Sequence, residues 1–185
     1  MRITGGSLRG RVLSVPAGVR PTQDKVRQAV FSAVAAKVEG ARVLDLFAGT
    51  GALGLEAWSR GAASVCWVEE HPKTFALLKT VVGEFTGGED AARVVRGDAL
   101  RFLEGAAAPE GRYDLVLADP PYDRDGSKRW LEKTLRGLVA GPLVTPDALL
   151  VFEMSAGESP VIDPAWTLAW DRTYGDSRVV IYRRG

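Results

Sequence analysis

The stretch LDLFAGTGALG, residues 44–54, decides the fold because it joins an apolar strand to a helix through a turn of glycines. Gly49, Gly51 and Gly54 have the G-x-G-x-x-G spacing, which permits a tight turn and lets a ligand approach the backbone closely. The pattern is best known from dinucleotide sites, but the glycines alone do not identify the ligand. The residues around them have to decide that question.

Strand and helix patterns alternate outward from this turn. Strands are predicted at 42–46, 64–69, 92–96, 113–118 and 148–153, and helices at 51–60, 72–85, 98–107 and 128–139. Two further segments, 166–170 and 178–182, are predicted to form an antiparallel pair that closes one edge of the sheet. The alternation predicts an α/β fold with a mostly parallel sheet and an antiparallel C-terminal strand.

The first 38 residues differ from the remainder in charge. Asp24 is the one acid in this segment, and the basic residues there are Arg2, Arg9, Arg11, Arg20, Lys25, Arg27 and Lys37. A hairpin over 2–4 and 11–15 and a helix from Thr22 or Asp24 to about Val38 are predicted. We therefore predict a basic appendage over 1–38 and a main domain over 39–185, with the appendage as a surface for phosphate groups.

The composition narrows the classes of protein that the chain can belong to. No apolar run approaches the ~20 residues of a membrane-spanning helix, and the polar N-terminus lacks the apolar segment of a signal peptide. Cys66 is the single cysteine, which excludes an internal disulfide and suits a reducing compartment. We expect a cytoplasmic protein with no membrane association, and a monomer.

Asp45 argues against a dinucleotide in the glycine turn. It lies four residues before Gly49 at the end of the first strand, where its carboxylate would repel a pyrophosphate and attract an ammonium group. Glu69 ends the next strand, 18 residues after Gly51, a distance at which an acid can accept the hydroxyls of a ribose. The favoured ligand therefore carries both a cationic amine and a ribose.

The D-x-F-x-G-x-G arrangement at 45–51 resembles the first motif of class I S-adenosylmethionine-dependent methyltransferases. The resemblance implies a Rossmann-like fold of seven strands and S-adenosylmethionine as the cofactor. It also implies that Asp98 receives the adenine amino group, with the backbone N–H of Ala99 near the ring. The cofactor-binding residues implied are Asp45, Phe47, Gly49, Thr50, Gly51, Glu69, Asp98 and Ala99.

A second motif, Asp119-Pro120-Pro121-Tyr122, follows the buried strand predicted at 113–118. The prolines remove two N–H donors and hold the backbone extended, which leaves a carboxylate, a rigid carbonyl and an aromatic ring. Asp119 and the carbonyl of Pro120 can accept both N–H bonds of an exocyclic amine, while Tyr122 stacks on the base. We predict these three residues to be catalytic, with no metal and no separate general base.

The D-P-P-Y motif is typical of enzymes that methylate amino groups of adenine, cytosine, guanine or glutamine. The segments RITGGSLRGRVL and VRPTQDKVRQAVF, together with the motifs above and the tail YGDSRVVIYRR, resemble the bacterial 16S rRNA guanine-N2 methyltransferase family over nearly the whole chain. The resemblance implies an N2-methylguanine product in 16S rRNA within a small-subunit particle. The residues expected to contact RNA are Arg2, Arg9, Arg11, Arg20 and Arg27.

Two other interpretations are compatible with parts of the sequence. An adenine-N6 methyltransferase acting on nucleic acid, or a glutamine methyltransferase acting on a protein such as a release factor, would use a similar motif; the DNA enzymes usually add a recognition domain, and the glutamine enzymes usually have Asn in place of Asp119. A non-catalytic RNA-binding assembly factor would explain the basic segment but has no need of Asp119.

Overall fold

The predicted alternation folds into a seven-stranded sheet with helices on both faces, in a computed structural model that describes residues 1–13, 24–105, 112–123 and 125–185. The strands are β1 (Arg42–Leu46), β2 (Ser64–Glu69), β3 (Ala92–Arg96), β4 (Tyr113–Ala118), β5 (Val144–Ser155), β6 (Trp166–Tyr174) and β7 (Ser177–Arg184). Their order across the sheet is β3-β2-β1-β4-β5-β7-β6. Only β7 runs against the others, pairing antiparallel with both β5 and β6, so the predicted fold class is confirmed.

Helices cover the two faces of the sheet and enclose one apolar core on each. They are α1 (Asp24–Ala33), α2 (Ala52–Ser59), α3 (Pro72–Thr86), α4 (Ala99–Gly105) and α5 (Trp130–Val139), with a short 3-10 helix at Ala35–Lys37. Side chains of α1, α2 and α3 form one core and those of α4 and α5 the other. The central strands β1 and β4 are buried on both faces, as their apolar runs predict.

The structure departs from the sequence-based boundaries at two elements. The first helix ends at Ala33 and continues as the 3-10 helix, whereas an unbroken helix to about Val38 was predicted. The fifth strand begins at Val144, earlier than predicted, and contains Asp147 with a left-handed φ of 64°, where the register with β4 shifts. Between the pairs Tyr113–Val144 and Leu115–Leu149 strand β5 has more residues than β4, and an insertion of this kind bends a strand and interrupts its alternating pattern.

The N-terminal segment packs against the same core as the sheet. Ile3 and Leu13 are buried there beside residues of α1, and Arg2 and Val12 form an antiparallel bridge supported by the Ile3 N–H to Arg11 carbonyl bond of 3.0 Å. The predicted hairpin is thus present between these residues, while Val15 and Thr22 lie outside the described residues. That 1–38 behaves as a separate unit stays a prediction.

The order of the strands alone predicts where a ligand would bind, independently of the side chains. The chain leaves β1 toward β2 on one side, and β4 lies on the other side of β1. At such a switch point the loops after neighbouring strands diverge and leave a crevice at the carboxyl edge of the sheet. The glycine turn after β1 and the D-P-P-Y segment after β4 meet at this crevice.

Candidate active site

Asp45 is buried at the end of β1, with 1% of its surface exposed. Its Oδ2 accepts the backbone N–H of Gly54 at 2.8 Å, which ties the strand to the first turn of α2. Burial raises the pKa of Asp45 well above its ordinary value, the Gly54 hydrogen bond opposes this rise, and the negative charges of Asp119 and Glu69 add to it. The carboxyl groups of Asp119 and Glu69 are therefore close enough to Asp45 to influence it at this edge.

The glycine turn allows two close approaches that another residue would block. A Cβ at Gly54 would lie 2.1 Å from Trp67 Nε1 and 2.9 Å from Asp45 Oδ2, so glycine lets α2 pack directly on β2. Gly51 has a φ of 79°, and a Cβ there would lie 2.5 Å from Leu78 Cδ1. Trp67 Nε1 also donates to the carbonyl of Gly51 at 3.3 Å, which fixes the turn from below.

We expect Gly54→Ala to lower the stability of the fold by about 1–3 kcal/mol, because the added methyl group overpacks a rigid contact between helix and strand. Gly83→Ala is the matched control, since a Cβ at Gly83 meets nothing within 4 Å and alanine favours the helix there by up to about 1 kcal/mol. Urea unfolding of both variants measures the difference. An unchanged midpoint for Gly54→Ala would contradict the tight packing.

Gly49 differs from the other two glycines because it faces open space. A Cβ there would have Phe47 O, at 3.9 Å, as its nearest neighbour, so its backbone stays open to a ligand. Phe47 itself has a left-handed φ of 57°, unusual for a non-glycine residue, and its ring packs edge-on against Trp130 at the start of α5, with centroids 5.3 Å apart. Strain of this kind is concentrated at functional sites.

Glu69 joins the glycine turn to the end of β2. Its Oε2 accepts the N–H of Gly49 at 3.0 Å, and its Oε1 accepts the N–H of His71 at 2.8 Å. Asp98 lies after β3, where its Oδ1 accepts the N–H of Arg101 at 2.8 Å in the first turn of α4. Each acid thus has a local structural role at the same edge, and the ligand contacts predicted for them and for Thr50 and Ala99 stay predictions.

The D-P-P-Y segment leaves the end of β4 beside the glycine turn. Pro120 is buried, while Asp119 and Tyr122 are half-buried. The Tyr122 hydroxyl is hydrogen-bonded to Ser177 Oγ at 2.6 Å, at the start of β7. Sequence reasoning gave Ser177 no role, and the only signal available was its place in the family-like YGDS tail.

Asp123 anchors the chain directly after the motif. Its side chain is 4% exposed, and its Oδ2 accepts the N–H groups of Lys128 and Arg129 at 2.8 and 2.7 Å. These two bonds fold the loop back before α5 begins. Tyr122 is therefore held from two sides, by the strand β7 and by the anchored loop.

The predicted RNA contact of Arg27 is wrong. Its side chain is fully buried, paired with Asp24 at 2.7 Å and lying 3.8 Å from Glu56, and it donates to the carbonyl of Arg2. A guanidinium enclosed in this way compensates a buried carboxylate and cannot reach a phosphate. The amphipathic pattern of α1 could not show that Glu56, on another helix, needed a cation.

Glu56 is the centre of a clasp between the N-terminal segment and α2. It accepts the N–H and hydroxyl of Thr4, the latter at 2.6 Å, and pairs with Arg60 at 2.8 Å. At the end of α2, Ser59 Oγ donates to Gly5 O and its carbonyl accepts Ser7 N–H. These contacts give the RITGGS motif a structural role. We call the set of contacts that joins this segment to Glu56 and Ser59 the Glu56 clasp.

The remaining basic residues of the segment differ in position. Arg2, Arg9 and Arg11 are all exposed, and the guanidinium of Arg11 in addition stacks 3.9 Å above the ring of Phe85 in the last turn of α3. Because α2 and α3 run from the carboxyl edge to the amino edge of the sheet, Arg9 and Arg11 lie nearer the edge opposite the crevice. Arg20 lies outside the described residues.

Neither a membrane span nor a metal cluster occurs in the described part of the chain. None of its helices combines the length and apolar character needed to cross a bilayer. Across residues 1–13, 24–105, 112–123 and 125–185, no three His, Cys, Asp or Glu side chains come together as a metal site would require.

Comparison with known proteins gives the affiliation of the chain. A family described as "Conserved hypothetical protein 95" matches residues 1–183. The chain belongs to this family. Among its relatives, a protein of Escherichia coli strain K12 named "Ribosomal RNA small subunit methyltransferase D" is 35% identical over 188 residues, covering 100% of this chain and 90% of its own. The protein of the same name from Haemophilus influenzae is 32% identical over 99% of this chain and 92% of its own.

Solved structures agree with this family membership. The yhhF protein of Escherichia coli superposes with a TM-score of 0.84 at 35% identity, covering 100% of this chain and 97% of its own. A hypothetical protein of Thermus thermophilus, TTHA0928, gives 0.79 at 33% identity over 98% of both chains. SMU.776, solved in complex with SAH, gives 0.68 at 18% identity over 90% of this chain and 50% of its own, which shows a shared fold.

Proposed function

We propose that this protein transfers a methyl group from S-adenosylmethionine to the exocyclic N2 of a guanine in 16S ribosomal RNA. The observation that carries the proposal is the placement of Asp119, Pro120 and Tyr122 beside the glycine turn in a sheet of methyltransferase order. Relatives named as small-subunit rRNA methyltransferases support the substrate class. The protein is then a cytoplasmic enzyme that acts on RNA.

The residues of the crevice fit S-adenosylmethionine. Gly49 leaves room for close approach to the backbone, and the carboxyl groups of Asp45, Glu69 and Asp119 lie at the same edge, where in their ionised form they attract a cationic cofactor. In the proposal, Glu69 holds the ribose, Asp98 and Ala99 the adenine, and the turn from Phe47 to Gly51 the methionine portion. When bound, the cofactor supplies an electrophilic methyl group on a sulfonium sulfur.

Asp119 and Pro120 prepare the amine for attack. The nitrogen lone pair of guanine N2 is delocalised into the base, so the free amine is a weak nucleophile. If the Asp119 carboxylate and the Pro120 carbonyl each accept one N–H, the nitrogen is drawn toward tetrahedral geometry and its lone pair is directed across the crevice. Asp119 can also take the proton that the nitrogen loses once its new bond has formed.

Tyr122 holds the base by stacking, and its hydrogen bond to Ser177 fixes the ring. We expect Tyr122→Phe and Ser177→Ala each to raise KM for the RNA substrate about two- to tenfold, the value of one hydrogen bond, with kcat nearly unchanged. The double variant should be no worse than either single one, because both remove the same interaction. Steady-state kinetics on the wild type, the two single variants and the double variant measures the coupling energy between Tyr122 and Ser177. Ser64→Ala, at the amino edge of the sheet, is the control. Additive effects would contradict the tether.

The exposed arginines of the N-terminal segment extend the proposed RNA surface toward the amino edge. We expect Arg2→Ala combined with Arg9→Ala to weaken RNA binding and to lower the slope of log K against log salt by about 2, since each phosphate contact contributes about 0.9. The turnover number should hold, because neither residue lies at the crevice. Filter binding at several salt concentrations measures the slope, and an unchanged slope would remove these residues from the RNA surface.

The decisive experiment supplies tritiated S-adenosylmethionine and four acceptors: small subunits lacking the modification, naked 16S rRNA, duplex DNA and a release factor. We expect label on a guanine N2 of the particle, located by mass spectrometry, and weaker labelling of naked rRNA, because folded RNA is recognised by shape. If DNA or the release factor were labelled instead, the proposed rRNA substrate would be wrong. Cofactor binding by calorimetry without label on any acceptor would favour a non-catalytic assembly factor.

A further inference from the structure

Strand β6 carries an aromatic and arginine strip at the open edge of the sheet. Trp170, Arg172 and Tyr174 occupy alternate positions opposite Ile181, Val179 and Ser177 of β7, so their side chains share one face. The rings of Trp170 and Tyr174 lie with centroids 6.4 Å apart and planes tilted by 31°. The guanidinium of Arg172 lies 5.7 Å from the centroid of the Trp170 ring. We call these three residues the β6 strip.

The β6 strip is available at the molecular surface of the described residues. Strand β6 is the last in the sheet order and pairs with β7 alone. Arg172 is exposed, and the rings of Trp170 and Tyr174 are half-exposed while packing by one side against the core. Each ring thus packs against the core and keeps part of its surface exposed, where a planar partner can stack.

The strip runs up to the proposed catalytic tyrosine. Tyr174 is the direct cross-strand partner of Ser177, and such partners have Cβ atoms about 4.5–5.5 Å apart. Ser177 Oγ in turn lies 2.6 Å from the Tyr122 hydroxyl. Both β6 and the parallel strands end at the carboxyl edge, so the rings of Tyr122, Tyr174 and Trp170 follow one another from the crevice along the sheet edge.

The charge of the strip suits a polyanion. Asp171 points to the other face, where Arg178 pairs with it at 2.6 Å and lowers the pKa of its carboxyl. Asp176, in the turn between β6 and β7, is another acid near this end of the strand. On the face of the rings, Arg172 is the charged group between the two aromatic positions.

We propose that the β6 strip is a stacking surface for unpaired RNA nucleotides that flank the target guanine, an inference that rests on the proposed function. Every base presents a π-face, so half-exposed rings can hold a strand without reading its sequence, and an arginine between them can contact the intervening phosphate. The target base leaves its helix to reach the crevice, which also unpairs its neighbours. The strip holds the displaced strand on the side of Tyr122.

Three variants test the proposal with unmodified small subunits as the substrate. We expect Tyr174→Leu to raise KM about tenfold with kcat nearly unchanged, since a stacked base contributes about 1–3 kcal/mol. Tyr174→Phe should restore the wild-type KM, because the ring remains. Arg172→Gln should lower the salt slope of RNA binding by about 1. The S-adenosylmethionine affinity should stay at the wild-type value in all three, and Tyr174→Leu should lower the melting temperature only modestly, because the leucine retains part of the packing against the core.

Matched substitutions at the amino edge serve as controls. Trp58→Leu removes a half-buried ring at the end of α2, and Arg183→Gln removes an exposed guanidinium on β7; neither should change KM. Two outcomes would refute the stacking role of the β6 strip and leave the proposed function intact. One is a Tyr174→Leu enzyme whose KM stays within twofold of the wild-type value. The other is a rise in KM accompanied by equal losses in cofactor affinity and melting temperature. A wild-type protein that methylates no rRNA substrate overturns the proposed function and the strip together.

Discussion

Asp119→Ala should lower kcat for methyl transfer about 10²–10³-fold while leaving S-adenosylmethionine affinity within about threefold. The expected loss in rate is that of removing one oriented polar group that acts in the transition state. Asp119 lies at the end of β4, near enough to Asp45 to influence its pKa, but its proposed partner is the amine of the substrate. The loss should therefore appear in single-turnover rates on small subunits and be absent from calorimetric titrations of the cofactor.

Two further variants make this result specific. Asp119→Asn keeps an acceptor oxygen of the same shape, so we expect an intermediate rate that separates acceptor geometry from charge. Asp90→Ala removes an exposed acid in the turn before β3 and should change nothing. A fully active Asp119→Ala enzyme would overturn the mechanism, and a variant that loses cofactor binding together with rate would move Asp119 into the cofactor site.

Asp45→Asn should affect cofactor binding, in contrast to Asp119→Ala, which should affect the rate. We expect weaker S-adenosylmethionine binding and a more stable fold. An asparagine oxygen can still accept the Gly54 N–H, so the turn is retained. One negative charge beside a cation at the effective dielectric of such a site is worth up to about 4 kcal/mol, and we expect about 10- to 100-fold weaker S-adenosylmethionine binding. Calorimetry measures the affinity, with Asp114→Asn, at the amino edge of the same sheet, as the control.

The pH dependence of stability distinguishes Asp45 from an ordinary surface acid. Because burial raises its pKa above the ordinary 3.8, the folded state keeps a proton that the unfolded state has lost only in the pH range between 3.8 and the raised pKa. Its contribution to stability is therefore largest at low pH and declines as the pH rises from about 3.8 through the raised pKa. Asp45→Asn should remove this decline and raise the melting temperature near neutrality, whereas equal pH profiles for the two proteins would refute the assignment.

The sheet and the crevice could be predicted because they depend on local patterns. Four acids lie at or just after the ends of apolar strands: Asp45, Glu69, Asp98 and Asp119. Because the carboxyl ends of parallel strands lie at the same edge of the sheet, these acids are brought together by the fold itself. What brings Ser177 to Tyr122 is a tail that returns antiparallel between β5 and β6, 55 residues away. A contact of this separation leaves no periodic signal along the chain.

Arg27 shows a second limit of reasoning from sequence. Its charge and its place in a basic segment are typical of a nucleic-acid contact, and its burial follows only from Glu56 on another helix. The early start of β5 is similar, because the residues before 148 join the strand through pairing with β4 across a register shift, in the region where Asp147 has a left-handed φ. Both errors arise where tertiary packing overrides a local preference.

The Glu56 clasp has a consequence for synthesis on the ribosome. Thr4 is synthesised before its partner Glu56, which lies 52 residues further along the chain. Until α2 emerges, the opening segment has no place to dock, and Arg27 has no buried carboxylate to compensate. The RITGGS segment therefore cannot reach its final position until α2 has been synthesised and has folded.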